Sequence, residues 1–217
     1  MFLFCKKGVT LSAFDWIVAG IVIIGVFYVT FVLTVPEWLA AVQKGQAVTL
    51  LPTRKGGNYP LWAQVALLVV GIALCIPLFY YGWVSLFSIS ANTARILDII
   101  GLILYLAGLG FTLWARRTLG KYWGLSSSMK VKLLDDHQLI QSGPYAFVRH
   151  PMYFGAWTFM FGLLLLYPTW TILILLVSML ASFSGRARRE EVALAERFGT
   201  AWAEYKKRTK MIVPYIY

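Results

Sequence analysis

The sequence predicts an all-α, polytopic membrane protein of about five transmembrane helices, the fourth and fifth forming a short helical hairpin. Three observations predict it. Of the 217 residues, 59% are hydrophobic and only 13% charged, more apolar surface than one soluble core of this size can hide. Several runs carry no charge for about 20 residues, the length a bilayer span needs. Aromatic residues, at 16%, suit the belts found at membrane interfaces. The net charge of +11 raises nucleic acid as a partner, but the basic residues cluster beside apolar runs, which points to a membrane and away from nucleic acid.

The elements follow in order. Residues 1–13 form a short lead with Lys6 and Lys7. It resembles the start of a signal peptide, but the apolar run behind it is too long and lacks a small-x-small cleavage site, so it is read as a retained helix. Trp16 to Val35 is the first span, ended by Pro36 and Glu37. A polar connection over 36–60 leads to the second, Leu61 to Phe87, with a kink expected at Pro77. Ser88 to Thr93 links this to the third span, Ala94 to Trp114. Arg95 and Asp98 share a face near its start and read as an interfacial pair, with a proton or ion site as the alternative. Gly101, Gly108 and Gly110 are candidates for close helix contact.

Residues 115–150 are polar, too charged to span, and long enough to be functional. Met152 to Leu166 and Trp170 to Phe183 are each short for a full span and are joined by the turn Tyr167-Pro168-Thr169, giving the hairpin 152–183. Residues 186–217 read as charged and helical at first, a C-terminal helix into which the second arm can continue past Arg186, with Leu194, Phe198 and Trp202 on one stripe that Ala195 and Tyr205 widen and Gly199 interrupts. The basic run Lys206 to Lys210 reads as a solvated or headgroup-facing patch. The chain divides into three N-terminal membrane helices, 1–114, and a polar loop, hairpin and C-terminal helix, 115–217. Five spans put the termini on opposite sides. The segments 36–60, 115–150 and 186–217 hold three, six and eight basic residues, 17 of the chain's 20 Lys and Arg. The excess places them in the cytoplasm, with the N-terminus outside and the C-terminus inside; Lys6 and Lys7 weigh slightly the other way.

Chemistry is best placed at Gly143 to Gly155. Pro151 suits a helix start, and the residue before it is pushed from helical geometry. Arg149 and His150 should therefore stand just outside a helix N-terminus, which favours an anion. The structural alternative is a membrane-surface turn with Arg149 snorkelling to headgroups. The C-terminal segment offers Arg186 and Glu190, i and i+4 on one helix face. Glu191 is adjacent to Glu190, so one of the two is expected to face a site. Cys5 and Cys75 have no metal spacing, and two histidines with two scattered cysteines make no zinc site. There is no phosphate loop and no Gly-x-Ser-x-Gly elbow.

Gly-Pro-Tyr-x-x-x-Arg-His-Pro-x-Tyr-x-Gly, a hairpin, then Arg-x-x-x-Glu-Glu-x-x-Leu-x-x-x-Phe-Gly resembles the isoprenylcysteine carboxyl methyltransferase family over about residues 117–217. Phospholipid N-methyltransferases share parts of the pattern. The resemblance implies S-adenosyl-L-methionine as cofactor, without a Rossmann domain. By position it implies a cofactor pocket lined by Lys130, His137, Gln138, Leu139, Ile140, Tyr145, Arg149, His150, Pro151, Met152, Tyr153 and Glu190. Lys is not the residue expected at 130. Arg186 matches the family's arginine near the acceptor carboxylate, and Arg186, Glu190 and His150 are the implied catalytic residues. Methyl transfer from a sulfonium to a carboxylate needs no metal and neutralises opposite charges, so a water-poor pocket that holds both groups favours it.

The expected function is membrane methyl transfer to a lipid-like acceptor from the cytoplasmic side, with an isoprenylcysteine carboxylate first. The alternatives are a phospholipid amine, a small thiol, or a non-catalytic scaffold or transporter. The sequence does not fix the oligomeric state.

Overall fold

A computed structural model describes residues 12–36, 84–122 and 138–214, with scattered positions between 62 and 82. The run 61–87 is described only in part, so the second span and the kink at Pro77 lie outside the described residues. So do Lys130 and His137. Two compact units are present, 1–46 and 47–217.

In the first unit, α1 spans Ala13–Phe27 and runs on as a π-helical stretch over Tyr28–Thr34. It starts three residues earlier than Trp16 because Ser12 and Asp15 form a capping box. The Asp15 carboxylate accepts from the Ser12 N–H at 2.8 Å, and Ser12 Oγ accepts from the Asp15 N–H at 3.4 Å. Ala13–Leu33, 21 residues, is long and apolar enough to cross a membrane.

In the second unit, α2 spans Ala91–Leu119, α3 Pro151–Leu166 and α4 Trp170–Arg208. The helix α2 also starts earlier than expected, because Ser90 Oγ accepts from the Thr93 N–H at 3.2 Å. It continues past Trp114, with Arg116 and Arg117 in its last turn, where cations suit the helix dipole. Asp98 is buried and Arg95 exposed. By length and composition α2 and α4 can also cross a membrane, while α3 is shorter. Among the described residues there is no strand, only two isolated bridges.

Glycines set how closely α2 and α3 approach. A Cβ on Gly101 would meet the Gly162 carbonyl oxygen at 2.9 Å, and one on Gly162 would meet the Gly101 oxygen at 2.6 Å. One helical stretch along, Gly108 and Gly155 oppose each other in the same way. Gly110 does not take part: nothing lies within 4 Å of a Cβ there. Two residues beyond Gly108, it points to the other side of the helix.

The hairpin turn is braced by residues 84–86, where Leu86 N–H donates to the Pro168 carbonyl at 2.8 Å and Trp170 N–H to that of Val84 at 3.2 Å. Thr169 then caps α4. This helix takes the course the sequence left open, continuing past Arg186 instead of ending as a short arm before a separate C-terminal helix. It runs for 39 residues, through the charged segment, and turns only at Gly199, with φ of 50°. Up to that turn, over 170–198, it is about 43 Å long at 1.5 Å per residue, well over a bilayer core of about 30 Å. The kink sends 209–213 back to the start of α3. There Ala187, Met211 and Ile212 form a buried cluster with Tyr153, Phe154, Trp157 and Val213 packed on it.

Candidate functional site at the start of the hairpin

The polar segment before α3 is shaped by its own sequence. Gly143, with φ of 59°, opens a 3-10 turn over Gly143–Ala146 that buries Pro144 and Tyr145. The Tyr145 carbonyl accepts from the Tyr205 hydroxyl at 2.6 Å, so α4 holds this turn. Val148, fully buried, pairs in parallel with Lys210. The N–H groups of Arg149 and His150 donate to the carbonyls of Lys210 and Met211, each at 2.9 Å. His150 then takes φ −122° and ψ 61°, outside helical geometry, and Pro151 opens α3. Arg149 and His150 do stand just outside a helix start, as the Pro predicts.

Around His150 the two motifs come together. Its Nδ1 lies 3.4 Å from Glu190 Oε2, and its Nε2 lies 3.7 Å from Glu191 Oε1. Its ring stacks on Tyr153, centroids 5.4 Å apart and planes 4° from parallel. Glu190 Oε1 accepts from the Tyr153 hydroxyl at 2.8 Å and from Arg186 Nε at 2.9 Å. The Tyr153 ring also meets Phe183, at 4.7 Å. The i, i+4 pairing of Arg186 with Glu190 is therefore made, but within a larger network.

Only one of the two adjacent glutamates was expected to face a site. Instead His150 sits between them. Neighbours on a helix point about 100° apart, and an imidazole placed in that angle meets both. Burial acts against the charged imidazolium, but the hydrogen bonds and charges of Glu190 and Glu191 outweigh it and raise the His150 pKa above its ordinary 6.5. Nε2 is buried and has no hydrogen-bond partner among the described residues.

Arg149 turns elsewhere. Its Nε donates to Glu191 Oε1 at 2.6 Å, and its guanidinium reaches the carbonyls of Lys206 and Thr209. The structure does not bring it to the α3 start as an open anion receptor. Tyr145 is buried behind the 3-10 turn, Met152 is half-buried on the first turn of α3, and Leu139 and Ile140 are half-buried upstream. Gln138 is exposed. The four basic side chains of 206–210 are exposed, as a solvated patch should be, but Thr209 is buried and the backbone is docked.

Sequence reasoning named Glu191 without giving it a partner, placed Tyr205 only on the helical stripe, and missed the backbone of 209–211. The stripe through Trp202 was a usable signal for Tyr205, three residues on. Carbonyl partners leave no mark in side-chain patterns.

The resemblance read from the motifs is borne out. The model of the isoprenylcysteine carboxyl methyltransferase family matches residues 100–196. A protein-S-isoprenylcysteine O-methyltransferase of Saccharomyces cerevisiae is 32% identical over 140 residues, covering 64% of this chain and 57% of that protein. A Delta(14)-sterol reductase of Mus musculus is 37% identical over 87 residues, covering 37% of this chain and 20% of that protein. The chain thus spans about half or less of the length of these curated relatives. The solved structure of a eukaryotic intramembrane Ras methyltransferase, an isoprenylcysteine carboxyl methyltransferase, shares the fold. It has a TM-score of 0.51 and 19% identity, over 99% of this chain and 81% of that one.

Proposed function

We propose that the chain is an integral membrane methyltransferase that uses S-adenosyl-L-methionine to O-methylate the carboxylate of an isoprenylcysteine-like lipid at the cytoplasmic membrane face. One observation carries this reading. Glu190, held by Tyr153 and Arg186 and facing His150, joins two motifs about 40 residues apart where an apolar hairpin begins. Polar chemistry beside greasy walls suits an acceptor with one wet end and one apolar tail.

The residues present fit the cofactor. Glu190 and Glu191 are already matched in charge by Arg186, Arg149 and His150, so what they offer a ligand is acceptor oxygens held in fixed positions. The Nε2 of His150 is buried with no hydrogen-bond partner among the described residues, the nearest carboxylate oxygen of Glu191 standing at 3.7 Å. S-adenosyl-L-methionine supplies, when bound, a methyl group on a cationic sulfur. In this proposal Tyr145, His150, Pro151, Met152, Tyr153 and Glu190 line its pocket, with Gln138, Leu139 and Ile140 on the approach. Lys130 and His137 belong to the same proposal but lie outside the described residues. Region 115–217 is then the catalytic part and 1–114 the membrane part.

Arg186 orients the acceptor carboxylate. Its Nε is used on Glu190, and a guanidinium carries further donors on its terminal nitrogens. The ring contact of Tyr153 with Phe183 would help to keep water out of the site. For an amine acceptor, His150 or Glu190 would also have to accept a proton.

The relative that is a sterol reductase shows that this stretch hosts more than one chemistry, so cofactor binding must decide. The purified chain in nanodiscs should bind S-adenosylhomocysteine by calorimetry, and Glu190→Gln should weaken that binding strongly. Absence of binding by the unaltered protein would sink the reading. Labelled methyl transfer to a farnesylcysteine analogue, against phosphatidylethanolamine, then identifies the acceptor.

A further inference from the structure

One guanidinium joins three parts of the chain. Arg149, 9% exposed, donates through Nε to Glu191 Oε1 at 2.6 Å. Through Nη1 it donates to the Lys206 carbonyl at 3.4 Å and to the Thr209 carbonyl. Its guanidinium carbon lies 5.9 Å from the centre of the Trp202 ring. Beside these contacts its own N–H and that of His150 bind the 210–211 backbone. Snorkelling does not produce such a set of partners: a snorkelling arginine ends in water or headgroups, and this one ends in protein.

We propose that Arg149 is a positioning residue. By fastening Glu191 to segment 206–211 it fixes that carboxylate beside His150, and it clamps the strap whose Met211 and Ile212 back the Tyr153 ring. It acts on the ligand through Glu191, His150 and Tyr153 and does not touch it. Without Arg149, Glu191 keeps His150 at 3.7 Å and Lys206 Nζ at 3.7 Å, the latter on a side chain 57% exposed. Neither replaces a charge-assisted bond at 2.6 Å. The carboxylate is then free to turn toward His150 or to take up a proton, and either change disturbs the imidazole that Glu190 shares.

The inference rests on the methyl-donor reading for its ligand, and the test separates the two. The full chain in nanodiscs is prepared as wild type, Arg149→Gln, Arg149→Lys, Glu191→Gln and the Arg149→Gln/Glu191→Gln double variant. Calorimetry measures S-adenosylhomocysteine and methylthioadenosine, which lacks the amino-acid carboxylate. Arg149→Gln should weaken both ligands by the same factor, on the order of tenfold, and the double variant should be no worse than the poorer single variant, since coupled residues are not additive. Arg149→Lys should recover part of the loss. Trypsin should cut the Lys206 to Lys210 run faster in Arg149→Gln than in wild type. A loss confined to S-adenosylhomocysteine would make Arg149 a direct ligand of the carboxylate and overturn the proposal, as would additive losses. If wild type binds neither ligand, the methyl-donor reading fails, and the cleavage rates still decide whether Arg149 clamps the strap: equal rates overturn it. Should Arg149→Gln not fold, Arg149→Lys and Glu191→Gln carry the same comparison.

Discussion

At His150 a single ring reports on two carboxylates, and its protonation should be visible in stability. Its folded pKa stands above 6.5, because Glu190 and Glu191 outweigh the effect of burial. A group with a raised folded pKa stabilises fully below its unfolded pKa and loses that contribution as pH rises through the folded one. Thermal stability in detergent should therefore fall over a window opening above pH 6.5, and His150→Gln should flatten the profile there. A wild-type curve with no such fall counts against the charged imidazole. Tyr153→Phe isolates a second contact. It keeps the ring on His150 and removes the hydroxyl 2.8 Å from Glu190. Hydrogen bonds to charged groups contribute about 1.5–3 kcal/mol, so S-adenosylhomocysteine binding should weaken about tenfold or more; undiminished affinity would remove Tyr153 from the pocket. Much of this site was legible in the sequence. His150-Pro151 fixed the helix start by local sterics, and Arg186-Glu190 followed from helical spacing. Glu191 was not legible, because spacing along α4 says where a side chain points, not what a distant loop inserts between two of them.

Among the elements, the α2–α3 pair rests on backbone approach. Gly108→Leu would drive a side chain into the backbone of Gly155 and Phe159. Overpacking of this kind costs about 1–3 kcal/mol, and the contact here is with backbone, which yields less than side chains. Gly110→Ala, two residues on, meets nothing within 4 Å and should be neutral or gain up to about 1 kcal/mol from helix propensity. Melting temperatures of the two variants check this directly; equal losses would contradict the packing described. Two of the three glycines were legible as contact points because Gly101 and Gly108 are seven apart, two turns on one face. The starts of α1 and α2 were placed three residues late, since hydrophobicity marks the apolar stretch while Ser12 and Ser90 mark the actual caps. Continuation of α4 past Arg186 was open in the sequence, but its full reach was not, because the change from apolar to charged residues is compatible with both a boundary and an unbroken backbone.

For the whole molecule, three described helices have the length and composition to cross a membrane. The distribution of basic residues gives the orientation to test: a probe on the C-terminal segment should be reached from the cytoplasmic side, and one before α1 from the opposite side. Accessibility of both from one face would overturn the five-span count. Fold class was legible because a bilayer imposes run length on sequence; the return of the chain at Gly199 was not, because a lone glycine in a helical pattern leaves both continuation and turning open. That return also has a consequence in time. Arg149 must wait for Glu191, 42 residues later in the chain, and for Thr209, 60 residues later, before its set of partners is complete. At a synthesis rate of about 5–20 residues per second, the delay is roughly 3–12 seconds. α3 is completed within that delay, and Arg149, just outside its start, carries a cation without its ion-pair partner until Glu191 is made. Inserting the hairpin and completing the pocket are therefore separate events, and a ribosome stalled shortly before residue 209 would hold a membrane-inserted chain with no finished site.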